Sequence, residues 1–159
     1  MRWALLALVL LSACAGIERS SIDKPEFDLA GRIAARYRDE SFSGNLAWRH
    51  ARGADEMLIS TALGQGVARI VREGEAVTLT TAEPREYKAA DAESLTEQVL
   101  GFRVPLAGLA QWVQGLPAPE LEARGWKVEY QERDAQGRPR RLRLTYPGVE
   151  LRLAISEWK

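Results

Sequence analysis

Apolar and polar residues alternate in short stretches along most of the chain after residue 26. One such stretch has an apolar or small residue at every second position: Phe42, Gly44, Leu46 and Trp48. A period of two places these side chains on one face of a half-buried strand. The same alternation recurs between turn-forming glycines and polar residues, and it predicts about nine strands.

The alternation gives way to a helical period between the sixth and seventh predicted strands. Asp91 precedes a turn with acidic residues, as an N-cap does, and Gly101 suits the C-terminal end of that helix. Pro105 suits the start of a second helix. The apolar stripe of that second helix is Leu106, Leu109, Ala110 and Val113. The sequence therefore predicts two short amphipathic helices inserted into a β domain.

The predicted fold is mainly β with inserted helices. Strands joined by short turns form antiparallel sheets, and a sheet of about nine strands in a domain of this size curls into an open barrel. The inner face of that barrel is the surface on which the two helices can bury their apolar stripes. We therefore expect a half-open antiparallel β-barrel with an α-helical lid.

The N-terminus has the pattern of an export signal. Arg2 is followed by an apolar run over residues 3–11, which is too short to cross a bilayer as a helix. Residues 11–14 (LSAC) resemble a bacterial lipobox, in which Cys14 is acylated and becomes the first residue of the mature chain. A plain secretory signal is the alternative. In such lipoproteins, an Asp directly after the cysteine favours retention in the inner membrane. Here that residue is Ala15, which indicates the outer membrane.

Three regions follow from this pattern. Residues 1–13 are the predicted signal peptide, residues 14–26 the acylated cysteine with a polar tether, and residues 27–159 a single domain. We expect a lipid-anchored protein on the periplasmic face of the outer membrane of a Gram-negative bacterium.

Composition and single residues exclude several kinds of chemistry. Lys and Arg number 22, as do Asp and Glu, so the basic excess typical of nucleic-acid binding is missing. One Cys and one His exclude Cys-rich zinc sites and paired-His metal motifs. His50, between Arg49 and Arg52, is predicted to be an exposed loop residue, and the Asp55–Glu56 pair to be solvated turn charges. We expect no enzyme activity, no cofactor and no metal.

Two features leave alternatives open on residues alone. Leu63 stands beside Gly64 in a predicted turn, where polar residues are usual. It either inserts into a membrane or a partner, or folds back over the core. Trp48, Trp112, Trp126 and Trp158 remain after signal removal. They form either an ordinary aromatic core or the lining of a lipid-binding cavity.

Several stretches spread over the mature chain resemble one known family. They are GRI at 31–33, FSGNLAW at 42–48, LGQ at 63–65, VPL at 104–106, QWVQGLP at 111–117 and GWKVEY at 125–130. Together with the lipobox, they resemble the outer-membrane lipoprotein receptor family LolB. No single stretch is specific enough alone.

The resemblance implies a half-open barrel under a helical lid, with an apolar cavity for acyl chains. It implies a receptor that accepts triacylated lipoproteins from the LolA-like periplasmic carrier and inserts them into outer-membrane lipid, and we expect it to act as a monomer. Leu63 and Gly64 correspond to the family's membrane-insertion loop, which favours the exposed interpretation. The expected cavity residues are Ile33, Leu46, Trp48, Ile59, Leu109, Trp112, Val113, Trp126, Leu142 and Leu144.

Other functions compete with this interpretation. A structural envelope lipoprotein would have a packed barrel and would transfer no ligand. A soluble shuttle is disfavoured by the acylation expected at Cys14, and an enzyme lacks candidate residues. The segment 15–30, between Cys14 and Gly31, is shorter than is usual for the family, which leaves open whether it contributes a lid helix.

Overall fold

In the computed structural model, which describes residues 22–83 and 85–159, nine strands form one antiparallel sheet. The strand order is β6-β5-β4-β3-β2-β1-β9-β8-β7, with β6 and β7 at the two edges, so the described sheet does not close. The strands are β1 (Phe27–Tyr37), β2 (Glu40–Ala51), β3 (Ala54–Ser60), β4 (Gly66–Glu73), β5 (Ala76–Thr81), β6 (Glu86–Ala89), β7 (Lys127–Arg133), β8 (Pro139–Tyr146) and β9 (Val149–Trp158).

Three helices, rather than the two predicted, separate β6 from β7 within the described residues. They are α1 (Ala92–Leu100), α2 (Leu106–Val113) and α3 (Pro119–Ala123). Asp91 caps α1 by accepting a hydrogen bond from the Ser94 amide, at 2.7 Å. Pro105 is the N-cap of α2 and not its first residue. Helix α3 has only five residues and one buried apolar side chain, Leu121, so it has no stripe that periodicity could detect.

The core lies between the inner face of the sheet and the helices. The buried side chains of α2 join those of β1, β2, β8 and β9 in one cluster, in which Trp112 and Leu29 are almost inaccessible. Helix α1 packs separately, with Leu95 against Val77 and Leu79 of β5. The helices therefore cover the inner face, and the expected half-open barrel with a helical lid is confirmed.

The chain contacts the barrel before β1 begins. Ile22 is buried, and the Glu26 amide donates a hydrogen bond to the His50 carbonyl, at 2.7 Å. Packing thus starts within the segment predicted as a tether. Cys14 and the predicted signal peptide lie outside the described residues.

The antiparallel topology gives the sheet two distinct ends. The β1–β2, β3–β4, β5–β6 and β8–β9 connections share one end, which we term the Leu63 end because Leu63 lies in the β3–β4 loop. The β2–β3, β4–β5 and β7–β8 turns share the other end, termed the opposite end, where Phe27 begins β1 opposite His50.

Gly31 permits a close approach between β1 and β9. The register shifts between Ala30 and Gly31, and a Cβ at Gly31 would lie 2.2 Å from the Ala154 carbonyl oxygen. We expect Gly31→Ala to lower the free energy of unfolding by about 1–3 kcal/mol, because backbone cannot move aside as a side chain can. Urea denaturation measures this loss. Gly66→Ala is the matched control, since its Cβ would meet nothing closer than 4.0 Å; equal effects of the two changes would contradict the prediction.

Candidate functional site

The ten residues predicted to line an apolar cavity lie together on the inner side of the sheet. Eight belong to the buried core cluster, and Ile33 and Ile59 pack against it half-buried. They come from β1, β2, β3 and β8, from α2, and from Trp126 just before β7. The sheet thus brings residues distant in sequence to one apolar face. Their contact with an acyl chain stays a prediction.

An open pocket of about 220 Å³ lies at the Leu63 end, between the α1–α2 loop and the β8–β9 turn. Its walls contain two aromatic pairs. Tyr37 and Phe102 have ring centroids 5.0 Å apart, and Trp126 stacks on Tyr146 at 5.1 Å. Of these four residues, only Trp126 was predicted to line the cavity. The others lie far apart along the chain, and only the fold shows that they share a wall.

Two ion pairs hold α1 at the rim of this pocket. Arg124 donates to both carboxylate oxygens of Glu93, from Nη1 to Oε1 at 2.7 Å and from Nη2 to Oε2 at 2.5 Å. Arg103 donates from Nε to Glu97 at 2.8 Å. The first pair joins α1 to the α3–β7 turn, 31 residues away in sequence. Hydrogen bonds from Arg124 lower the pKa of Glu93 below its ordinary value.

We expect Arg124→Gln to lower the free energy of unfolding at pH 7 by about 0.5–1 kcal/mol, since the Arg124 side chain is 45% exposed and solvent screens the pair. A carboxyl with a lowered pKa stabilises the fold above its unfolded pKa and loses this contribution as pH falls through the folded value. The gap between variant and wild type should therefore shrink below about pH 4.

Urea titrations at pH 7 and pH 3 measure this gap. Arg85→Gln serves as the control, because Arg85 and Glu83 form a longer and far more exposed pair, at 3.6 Å. A gap for Arg124→Gln that stays constant with pH would contradict the proposed contribution of Glu93.

Leu63 projects from a well-defined turn. It is 90% exposed, which excludes the alternative that it folds back over the core. The Thr61 amide donates to the Gln65 carbonyl and the Gly64 amide to the Thr61 carbonyl, both at 2.9 Å, and the Asn45 side chain also donates to the Thr61 carbonyl. Gly64 has φ of 82°, which favours glycine. The loop backbone is therefore fixed, while insertion of Leu63 into a membrane stays a prediction.

A buried carboxylate network lies near the opposite end. Asp55 Oδ1 accepts from Trp48 Nε1 at 2.8 Å and from His50 Nδ1 at 2.7 Å, and Oδ2 accepts from Arg72 Nε at 2.6 Å. The terminal Nη2 of Arg72 also contacts Oδ2. Because a carboxylate only accepts, the hydrogen between His50 and Asp55 lies on Nδ1. The His50 ring stacks on Phe27, with centroids 4.9 Å apart.

Two sequence predictions are wrong here. His50 is a buried residue of β2 and not an exposed loop residue, and Asp55 is a fully buried residue of β3. The turn between these strands is only Arg52 and Gly53, so the alternation that buries Trp48 continues to His50. Glu56, on the other face, pairs with Arg69 at 2.9 Å. The network links the two strands of the β2–β3 hairpin to Arg72 of β4.

No helix within residues 22–83 and 85–159 has both the length and the apolar character needed to cross a bilayer.

Fold and site together define a class: a curved, open antiparallel sheet whose apolar inner face is covered by inserted helices. The comparisons with known proteins narrow this class. Residues 25–158 match the model of the family described as "Outer membrane lipoprotein LolB". The chain belongs to the LolB family.

Individual relatives agree with this assignment. The outer-membrane lipoprotein LolB of Thiobacillus denitrificans is 38% identical over 146 residues, covering 82% of this chain and 78% of the relative. The protein of the same description from Nitrosomonas europaea is 34% identical, covering 99% of this chain and 91% of the relative. That from Chromobacterium violaceum is 33% identical, covering 99% and 98%. The family resemblance inferred from the sequence is confirmed.

Proposed function

We propose that the protein is an outer-membrane lipoprotein receptor that accepts acylated lipoproteins and inserts them into the outer membrane. The observation that carries this proposal is the exposed Leu63, held on a fixed loop at the end of the barrel where the aromatic pocket opens. Membership of the LolB family supports the same function.

Such a receptor needs a concave apolar surface and no catalytic group. Each Å² of acyl-chain surface exposed to water costs about 25 cal/mol of free energy. The chains of a client must therefore stay buried in protein or lipid throughout the transfer. Trp48 of β2, Trp112 of α2 and Trp126 before β7 lie in the apolar core between the sheet and the helices. An acyl chain replaces part of the contact between helices and sheet. Transfer then follows the rise in affinity from carrier to receptor to bilayer.

The proposed partners are a LolA-like periplasmic carrier, triacylated lipoprotein clients and outer-membrane lipid. Acylation of Cys14 anchors the protein to that membrane, because each buried CH₂ of an acyl chain contributes about 0.8 kcal/mol. The protein acts as a monomer on the periplasmic face.

A structural envelope lipoprotein is the second candidate. The packed state of the inner face favours it, since Trp112, Leu142 and most other predicted cavity residues are already buried by protein. In that case the barrel would bind no acyl chain, and Leu63 would contact another envelope component.

A transfer experiment separates these candidates. The non-acylated protein, made without residues 1–13 and with Cys14→Ala, is mixed with LolA that carries an acylated lipoprotein. We expect the client to co-purify with this protein, and a client lacking its acyl chains to stay behind. If a correctly folded protein takes up no client, the receptor proposal fails and the structural function is favoured.

A further inference from the structure

Large apolar and aromatic side chains that are exposed concentrate at one end of the molecule. Within the described residues there are six: Phe42, Leu58, Leu63, Val99, Leu116 and Tyr146. All except Leu116 lie at or near the Leu63 end. Soluble monomers scatter such residues singly, so this uneven distribution points to a contact surface.

The strand register places these residues. Phe42 follows the β1–β2 turn and pairs with Ala35, and Tyr146 ends β8 beside the β8–β9 turn. Val99 is near the C-terminus of α1, which the contact of Phe102 with Tyr37 holds at the same end. Phe42 is 41% exposed and Tyr146 is 40% exposed. Each lies in a strand, beside a turn other than the β3–β4 loop.

Leu116 lies away from this group. It follows α2 directly, and its neighbour Gly115 approaches Arg133 and Pro139, which end β7 and begin β8 at the opposite end. Leu116 is 49% exposed. It therefore offers a control side chain of similar exposure at a different place.

The charges of the β1–β2 hairpin and of the pocket rim are balanced. The β1–β2 hairpin carries Arg36 and Arg38 against Asp39 and Glu40. Arg103 pairs with Glu97 at the pocket rim. Rings with an apolar body and a polar tip, such as that of Tyr146, are enriched at the headgroup level of a bilayer. An acidic protein partner would instead require a basic excess.

We propose that the whole Leu63 end is a membrane-docking face, on which Phe42 and Tyr146 contact the bilayer alongside Leu63. Three contacts, one on the β3–β4 loop and two in strands beside separate turns, define a plane, whereas one loop leaves the protein free to tilt. In this orientation the pocket formed by Tyr37, Phe102, Trp126 and Tyr146 opens onto lipid, so an acyl chain can leave without crossing water. The inference rests on the proposed function, because it takes the partner surface to be a lipid bilayer.

Sedimentation with phosphatidylcholine vesicles tests the docking face on the non-acylated protein with Cys14→Ala. We expect Phe42→Ser and Tyr146→Ser each to weaken vesicle binding about five- to tenfold, as expected when one large apolar contact is lost. Leu116→Ser should stay within about twofold of wild type. Raising NaCl to about 0.5 M should change binding little, because the contact is not electrostatic.

The proposal is wrong if only Leu63→Glu loses vesicle binding while Phe42→Ser and Tyr146→Ser bind as wild type does. It is also wrong if Leu116→Ser weakens binding as much as the other two Ser variants do. Tyr146 stacks on Trp126, so Tyr146→Ser could weaken binding by disturbing the fold. A second measurement therefore tests the docking face without this variant. Phe42→Trp should introduce a fluorophore that brominated phosphatidylcholine quenches, whereas the fluorophore introduced by Leu116→Trp should not be quenched.

Uptake of a client from LolA in solution should survive Phe42→Ser. Failure of the docking face and failure of the receptor function are therefore distinguishable.

Discussion

Asp55→Ala is expected to lower the free energy of unfolding by about 3–5 kcal/mol, the range found when one partner of a buried ion pair is removed. Asp55 is fully buried and is the shared acceptor for Trp48, His50 and Arg72. Its loss leaves a largely buried guanidinium without its carboxylate and two ring N–H groups without an acceptor. The two unsatisfied neutral donors are part of this loss, because a buried donor without an acceptor costs about 1–3 kcal/mol.

The location of the network increases the effect. It joins β2, β3 and β4, and His50 also stacks on Phe27 at the start of β1. The network and the ring stacked on it therefore connect side chains of four neighbouring strands. Arg72 also donates to the Gly74 carbonyl, at 2.8 Å, so the β4–β5 turn is coupled to the same group.

Urea denaturation of three variants tests the network. Asp39→Ala is the control, because Asp39 is an exposed carboxylate in the β1–β2 turn, and it should change stability by less than about 0.5 kcal/mol. Trp48→Phe removes one donor and keeps the charge pair, so its loss should be smaller than that of Asp55→Ala. A loss below about 1 kcal/mol for Asp55→Ala would show that the network contributes little net stability.

The sequence predicted the parts of this fold that depend on regular alternation. Strand β2 shows why: Leu46 and Trp48 recur with period two and pack on the inner face, as expected. The two longer helices were found through Asp91, Gly101 and Pro105, which mark helix ends by local chemistry. Each signal is contained in a few neighbouring residues, so no knowledge of tertiary structure is needed.

The missed features depend on partners across the fold. Buried His50 and Asp55 look like surface residues, because polar residues without a visible partner are usually exposed. The partner that changes this, Arg72, lies 17 residues after Asp55. Likewise Tyr37, Phe102 and Tyr146 form one pocket only after β1, the α1–α2 loop and the β8–β9 turn meet. Pairing of distant strands has no signature in local alternation.

Leu63→Glu is expected to separate folding from function. A side chain that is 90% exposed contributes little to the core, so the free energy of unfolding should change by less than about 0.5 kcal/mol. Insertion of leucine into a bilayer gains about 1.5–3 kcal/mol, and a carboxylate adds a penalty for leaving water. Delivery of a bound client into vesicles should therefore fall at least tenfold, since 1.4 kcal/mol is a factor of ten.

The measurement loads the variant with an acylated client and follows release into vesicles over time. Leu116→Glu is the matched control at the opposite end and should deliver at nearly the wild-type rate. Uptake from LolA should be unchanged in both variants, because the inner face is untouched. A delivery rate for Leu63→Glu equal to that of Leu116→Glu would mean that the loop does not insert. The exposed leucine would then have to act on a protein surface instead, because its fixed turn keeps it away from the core in either case.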